Sequence, residues 1–324
     1  MRNVTFRQLR VFESVARHLS FSRAAEELHL TQPAVSMQVR QLEDSVGLPL
    51  TEQVGKRIFL TAAGTEIARH ARLIAQQLRE AEGALAAMKG VRGGLLNIAV
   101  TSTAKYFAPR LLATFRKDHP GVDLRLGVHN REEVVHQLQE NQVDLAIMGR
   151  PPQEFPTVAE PFAEHPLIIL ATPDHPLAGR RRIELRQLAE ETFLIREQGS
   201  GTRNAMERFF VEQQFTPAAT LEMSSNETIK QAVMAGMGVA FLSAHTAGLE
   251  LATGRLASLN VAGTPVLRQW FVVYRGDKRL LPLTGAFVDF LRCDGAGLIC
   301  EPGGVALPAR ARTQAMRRAL RAKS

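Results

Sequence analysis

Between Ile67 and Met88 the apolar residues Ile67, Ala71, Ile74, Leu78, Ala81, Leu85 and Met88 recur at alternating intervals of four and three. That spacing keeps one narrow stripe on the same side of a helix for about three heptads, whereas a helix covering a globular core carries a wider apolar face. Such a stripe needs a partner. The segment therefore predicts a coiled-coil-like helix over 61–89 that dimerises the chain, with packing on the chain's own larger domain as the other open option. Gly90, Gly93 and Gly94 follow and end the helix. They cut the chain into a short part and a long part, each of which must bury its own core.

In the short part, Phe6, Leu9, Phe12, Ala16 and Leu19 fall at helical spacing and predict one buried face. Ser20 or Ser22 caps a second short helix through Ala24, Ala25 and Leu28. A third helix starts at Thr31 as N-cap, with Pro33 in its first turn, where a missing N–H costs nothing. Val35, Val39, Leu42 and Val46 turn inward on it. Gln32, Ser36 and Arg40, four apart, then share the outer face with Pro33 and Met37. Two short helices with small alanines at their crossing are the layout of a helix-turn-helix, whose second helix enters the DNA major groove. After Gly47 and Pro49, residues 54–60 read as a hairpin with the basic tip Lys56-Arg57, a wing able to touch phosphate. A three-helix protein-interaction module with a solvated polar face remains open on this pattern.

Charge supports a divided function. Of the net +8, residues 1–93 carry an excess of four positive charges, residues 94–297 are one negative, and residues 298–324 are five positive. A near-neutral centre between basic ends suggests that an end meets a polyanion while the centre does something else.

From Leu95 the pattern becomes strands alternating with helices. Strands are expected at 95–101, 123–128 and 144–149, with helices at 109–118 and 132–141; this βαβαβ order predicts a parallel sheet. A second set runs from 166 to 243, and a late strand at 268–274 and a helix at 283–292 return to the first. Two sheets forming a clamshell are expected. Ligands of such units sit beyond the carboxyl ends of strands, at helix N-termini whose free N–H groups attract anions. The strand ends here supply Thr101, Ser102, Thr103 and Lys105; Asn130-Arg131; Gly149-Arg150; Gln198, Ser200, Thr202 and Arg203; and Asn226 and Thr228. Lys105, Arg150 and Arg203 make an anion the natural guest. Ordinary N-capping is the other reading of each hydroxyl. An enzyme or solute receptor on this scaffold is a further alternative, but no Ser/His/Asp order, paired carboxylates or metal-spaced set stands out among His119, His129, His136, His165, His175 and His245, which read as surface or structural.

Two groups of residues carry a family resemblance. Phe21 to Ser36, with Gln41-Leu42-Glu43, Gly47, Leu50 and Leu60-Thr61-Ala62-Ala63-Gly64, resembles the winged helix-turn-helix of the LysR-type transcriptional regulators. Thr101 to Pro109, Asp144 to Pro152, Gly199 to Arg203 and Ser225 to Gly238 resemble one branch of that family, the Calvin-cycle (RuBisCO) operon regulators, CbbR. The similarity runs from about residue 5 to 292. It implies an N-terminal winged helix-turn-helix (1–60), a long dimerisation linker helix (61–89), and a two-subdomain, periplasmic-binding-protein-like α/β effector domain (94–297; lobe I about 94–163 and 268–297, lobe II about 164–267). It further implies that Gln32 and Pro33 reach base edges, that Thr31, Ser36 and Arg40 work beside them, and that Ser22, Arg23, Lys56 and Arg57 meet the backbone. The implied partners are double-stranded DNA with inverted-repeat sites, a second copy in dimers that pair into tetramers, and RNA polymerase. No cofactor is expected beyond a small anionic co-effector, for which ribulose bisphosphate, phosphoenolpyruvate and NADPH are the family's candidates. A regulator of aromatic or amino-acid metabolism is the alternative within the family. The commonest family pattern has an aromatic after Leu50 and an arginine two residues on; Thr51 and Gln53 stand there instead, which predicts thinner packing under the wing and one phosphate contact fewer.

Cys293 and Cys300 are too few and too close for a disulfide framework. The N-terminus passes straight into an amphipathic pattern and no apolar run approaches bilayer length, so a cytoplasmic protein without a membrane partner is expected. The tail from Leu298, with its six Lys/Arg, reads as a solvated extension.

Overall fold

The computed structural model describes residues 4–55, 57–88 and 93–299. Lys56, Gly90, Cys300 and nearly all of the basic tail lie outside them, as does the side chain of Met88. The chain forms two compact units, the second beginning at Gly93.

Local chemistry sets the helices of the first unit. Helix α1 (Phe6–His18) opens on a reciprocal box in which Thr5 Oγ1 accepts from Gln8 N and Gln8 Oε1 accepts from Thr5 N. Ser20, not Ser22, caps α2 (Phe21–Leu28) by accepting from Arg23 N, and Thr31 caps α3 (Gln32–Val46) by accepting from Ala34 N. Gly47, at φ +78°, ends α3 where a side chain would be strained. Val11, Phe12, Val15, Ala24, Ala25, Val35, Val39 and Leu42 form the core. The buried face of α1 is broader than the expected one: Phe12 and Ala16 are buried and Leu9 packs on the core as expected, Phe6 and Leu19 are exposed, and Gln8, Val11, Ser14 and Val15 also face inward. Burial of the two polar residues is tolerated because Gln8 bonds Thr5 and Gln41, and Ser14 donates to Glu27.

Strands β1 (Thr51–Val54) and β2 (Arg57–Leu60) pair as an antiparallel hairpin. Helix α4 (Ala62–Met88) follows, 27 residues or about 40 Å long. A Cβ on Gly64 would stand 1.9 Å from the Leu50 carbonyl oxygen, so only glycine lets the helix start this close to the wing. Ile67, Ala68 and Ala71 cover the first unit's core or lie buried beside it. Beyond them the stripe emerges: Ile74, Leu78, Ala81 and Leu85 are exposed.

The second unit is one sheet in the order β4-β3-β5-β11-β6-β9-β7-β8, with β10 on β6. Strands β3 (Gly93–Thr101), β4 (Gly121–His129) and β5 (Leu145–Met148), with α5 (Ala108–Asp118) and α6 (Arg131–Gln139), form a parallel α/β half. Strands β7 (Thr192–Arg196), β8 (Ala219–Met223) and β9 (Val239–Ser243), with α7 (Gly201–Glu212), α8 (Asn226–Met234) and α9 (Gly248–Ala252), form a second. Each half has apolar clusters on both faces of its strands, as helices on both sides of a parallel sheet require.

The halves are not separate sheets, as the sequence suggests. Strand β6 (Thr157–Ala171) runs antiparallel to β11 (Val266–Arg275), β11 also pairs β5, and β6 also pairs β9, so a single ladder crosses the unit. Strand β10 (Ala257–Leu259) adds to β6, and α10 (Pro282–Phe290) packs on the first half before the short α11 (Ala296–Ile299). The first half of β6 escapes the apolar-run reading because Glu160, Pro161 and Glu164 interrupt it. Its extended form comes from the register with β11, where Phe162 is the extra residue of a bulge between the Trp270–Ala163 and Phe271–Pro161 pairs.

Candidate functional site

On α3 the capped first two turns present Gln32, Pro33, Ser36 and Arg40, all exposed, with Met37 at 54 % exposure beside them. No acidic residue stands in the first turn, so nothing repels a polyanion there. Ser22 and Arg23 are exposed on the first turn of α2, and Arg57 on β2. Thr31 contributes its hydroxyl to the cap rather than to the open face. The unusual Thr51 and Gln53 are both occupied. Glu43 accepts from the amides of Leu50 and Thr51 and from the Thr51 hydroxyl, tying the wing's base to α3 by polar contacts, while Gln53 closes across the hairpin tip onto the Gly55 carbonyl.

Between the two halves of the second unit lies an open recess. Its wall takes Thr101, Ser102 and Thr103 from the end of β3, Asn130 and Arg131 from the start of α6, and Gly149 and Arg150 after β5. The other half supplies Ser200, Gly201 and Thr202 at the start of α7. His165, Arg268 and Trp270, from the middle of β6 and β11, complete the lining. An adjoining recess shares Arg131, Arg150, Gly201 and Arg268 and adds Asn204, Arg208 and Glu212.

The structure thus gathers nine residues named by the sequence reading: Thr101, Ser102, Thr103, Asn130, Arg131, Gly149, Arg150, Ser200 and Thr202. Five stand elsewhere. Arg203 turns away, its guanidinium held by Glu207 and Glu222. Lys105 lies over the Tyr106 ring, 5.1 Å from its centre. Gln198 and Thr228 are exposed outside the lining, and buried Asn226 accepts from Arg196 at 2.6 Å. Arg196 also donates to Ser102 and so joins the two halves. Arg208, Arg268, His165 and Trp270 are not found by the sequence reading, because Arg208 lies inside α7 and the other three in mid-strand, where no helix-start signal marks them. His165 is neither a surface group nor a bonded structural one.

The recess is electrostatically unfinished. Arg268 donates to the carbonyls of Gly149 (2.8 Å) and Gly201 (3.4 Å), which fixes its guanidinium. Burial, then the charges of Arg150, Arg208 and Arg131, push its pKa down to about 10. Arg131 is lowered by burial and by Arg150 and Arg208, with Glu154, 3.8 Å away, acting in the opposite sense; its Nε is buried and unpaired. His165 is held well below the ordinary imidazole range by burial, His245 and Arg268. Cations that destabilise one another beside a helix N-terminus fit a bound anion, which would offset the repulsion and accept their hydrogen bonds. Among the described residues no three His, Cys, Asp or Glu are grouped to hold a metal ion, and no helix is long and apolar enough to cross a membrane.

Residues 6–65 match the bacterial regulatory helix-turn-helix protein, lysR family, and residues 89–296 match the LysR substrate binding domain. The chain is 55 % identical over 301 residues to a RuBisCO operon transcriptional regulator of Allochromatium vinosum, covering 93 % of this chain and 100 % of that one. It is 50 % identical to the HTH-type transcriptional regulator CfxR of Cupriavidus necator, over 96 % of this chain and 98 % of the other. Among solved structures, the regulatory domain of CcmR from Synechocystis, in complex with 2-phosphoglycolate, superposes with a TM-score of 0.60 at 42 % identity, covering 62 % of this chain and 96 % of that domain.

Proposed function

Because the chain belongs to the LysR family of transcriptional regulators, we propose that it controls a carbon dioxide fixation (RuBisCO) operon in response to a small phosphorylated anion bound in the recess. Identity of 50 % or more over nearly the whole chain to two regulators, one of them named for the RuBisCO operon, supports the target. The convergence of Arg131, Arg150 and Arg268 on the N-terminus of α7 carries the ligand class, and the 2-phosphoglycolate in the CcmR domain supports it.

We assign residues 1–60 to DNA binding, 61–89 to dimerisation, 94–297 to the effector domain and 298–324 to a tail. Gln32 and Pro33 read base edges, with Ser36 and Arg40 beside them, while Ser22, Arg23 and Arg57 meet phosphates; Gln suits adenine and Pro the thymine methyl. The exposed stripe of α4 joins two copies, so the target is an inverted repeat contacted by paired recognition helices. Tetramers and contact with RNA polymerase in the cytoplasm complete the proposed assembly. The recess binds without chemistry. An anion there favours one arrangement of the two halves, and the paired DNA-binding units then engage DNA differently.

The test is DNase footprinting and bend-angle measurement on DNA upstream of a RuBisCO operon, with and without 2-phosphoglycolate, ribulose bisphosphate, phosphoenolpyruvate and NADPH. A ligand-dependent change in footprint or bend that disappears in Arg150→Ala is the expected result. An unchanged footprint with all four refutes the mechanism.

A further inference from the structure

His165 lies opposite Arg268 in the β6–β11 register, and its ring stacks on Trp270 with centres 3.9 Å apart. It is 4 % exposed and lines the recess, yet neither Nδ1 nor Nε2 has a hydrogen-bond partner. Buried polar atoms in folded proteins are nearly always paired, so two orphans on one ring that faces a recess mark a group whose partner is not part of the chain. The charged and titratable groups around it are Arg268 from β11, Arg150 after β5, Arg131 at the start of α6, Arg208 on α7 and His245 after β9. None is an acceptor for it: the arginines only donate, and His245 Nδ1 already accepts from the Trp270 indole. The backbone of Gly149 closes one side, where a Cβ would stand 2.7 Å from Nδ1.

We propose that His165 is a specificity-determining contact of the recess, a neutral imidazole that donates its ring N–H to an oxygen of the bound phosphate or carboxylate. The inference rests on the reading of the recess as an anion site. A neutral donor suits the place, because burial and the neighbouring Arg268 and His245 disfavour a second positive charge there. The arginines supply attraction from the rim and from β11, and His165 selects for an acceptor oxygen deep enough to reach the Trp270 face.

The experiment is calorimetric titration of the full-length protein with 2-phosphoglycolate and with sulfate, which stays a dianion between pH 6 and 8. The proteins compared are wild type, His165→Leu, His165→Gln and Arg268→Met. In His165→Leu both anions should bind about tenfold more weakly, while the unliganded melting temperature equals or exceeds that of wild type, since an unpaired polar ring has been replaced by an apolar group. His165→Gln keeps an N–H donor and should recover most of the affinity. Wild-type sulfate affinity should be flat from pH 6 to 8. Unaltered binding in His165→Leu, or equal losses in Leu and Gln variants that both melt lower, overturns the contact, and sulfate affinity that rises toward pH 6 overturns its neutral form. If Arg268→Met alone loses binding, His165 is excluded and the anion site stands; if wild type binds neither anion, both fall.

Discussion

Replacing Arg268 by Met separates what the recess does for the protein from what it does for a ligand. The guanidinium is fixed by the Gly149 and Gly201 carbonyls and is a half-buried cation among three others. A charge-assisted hydrogen bond of this kind contributes about 1.5–3 kcal/mol, so its loss should weaken binding of a phosphorylated anion by about 10- to 150-fold. At a ligand concentration of 100 Kd, wild type gains about 2.7 kcal/mol, or about 5–11 °C in Tm for a unit of this size. After a hundredfold loss the gain is about 0.4 kcal/mol, or about 1–2 °C. The unliganded protein should behave differently. Loss of two bonds to carbonyls is offset by removal of a buried charge and of the repulsion from neighbouring arginines, which together lower the pKa of Arg268; with each side about 1–3 kcal/mol, its Tm should stay within about 8 °C of wild type. Differential scanning fluorimetry with 2-phosphoglycolate reads both quantities. A full ligand-induced shift in Arg268→Met would refute the assignment of this residue to the site.

Gln32→Ala should reduce discrimination between operator variants, whereas Arg57→Ala should weaken binding to every sequence and reduce the salt slope by about 1; anisotropy titrations across variants and salt concentrations check this, and identical profiles contradict the division of labour. Ile74→Glu with Leu78→Glu, both on the exposed stripe of α4, should lower the sedimentation mass to that of a monomer while helicity is retained. Gly64→Ala forces a Cβ against the Leu50 carbonyl and should cost about 1–3 kcal/mol of unfolding free energy, measured by urea titration. Glu27, although partial burial pushes it up, is pulled to about 2 by Arg17 and His18. A lowered carboxylate stabilises the fold above its unfolded pKa and loses that effect as pH falls through the folded one. The urea-midpoint gap between wild type and Glu27→Gln should therefore be full at pH 7 and shrink between about pH 4.5 and 2.

The helix caps at Ser20 and Thr31 were legible because capping is a matter of three or four neighbouring residues. The same locality explains why Thr101, Ser102, Asn130, Ser200 and Thr202 could be placed at one recess: each stands where a strand ends and a helix begins. Arg203 shares that position but has competitors, Glu207 one turn away and Glu222 across on β8, and only the fold shows the second. His165 and Arg268 are mid-strand residues whose meaning depends on the β6–β11 register, a contact between segments about a hundred residues apart. The broader buried face of α1 has a similar cause. Gln8 and Ser14 look like surface residues until Gln41 and Glu27 arrive from other helices to satisfy them.

The paired strands β6 and β11 have a consequence for how such a chain can change over generations. The second α/β half is entered along β6 and left along β11, and these two strands lie side by side. A segment whose two ends are neighbours can be exchanged for its counterpart from a related chain at two junctions, leaving the core of the first half closed. The exchange would replace Ser200, Thr202 and Arg208 on one wall of the recess while Arg131 and Arg150 on the other are retained. New ligand preferences are thus open to recombination in one step, without a fresh DNA-binding end or a new way of pairing subunits.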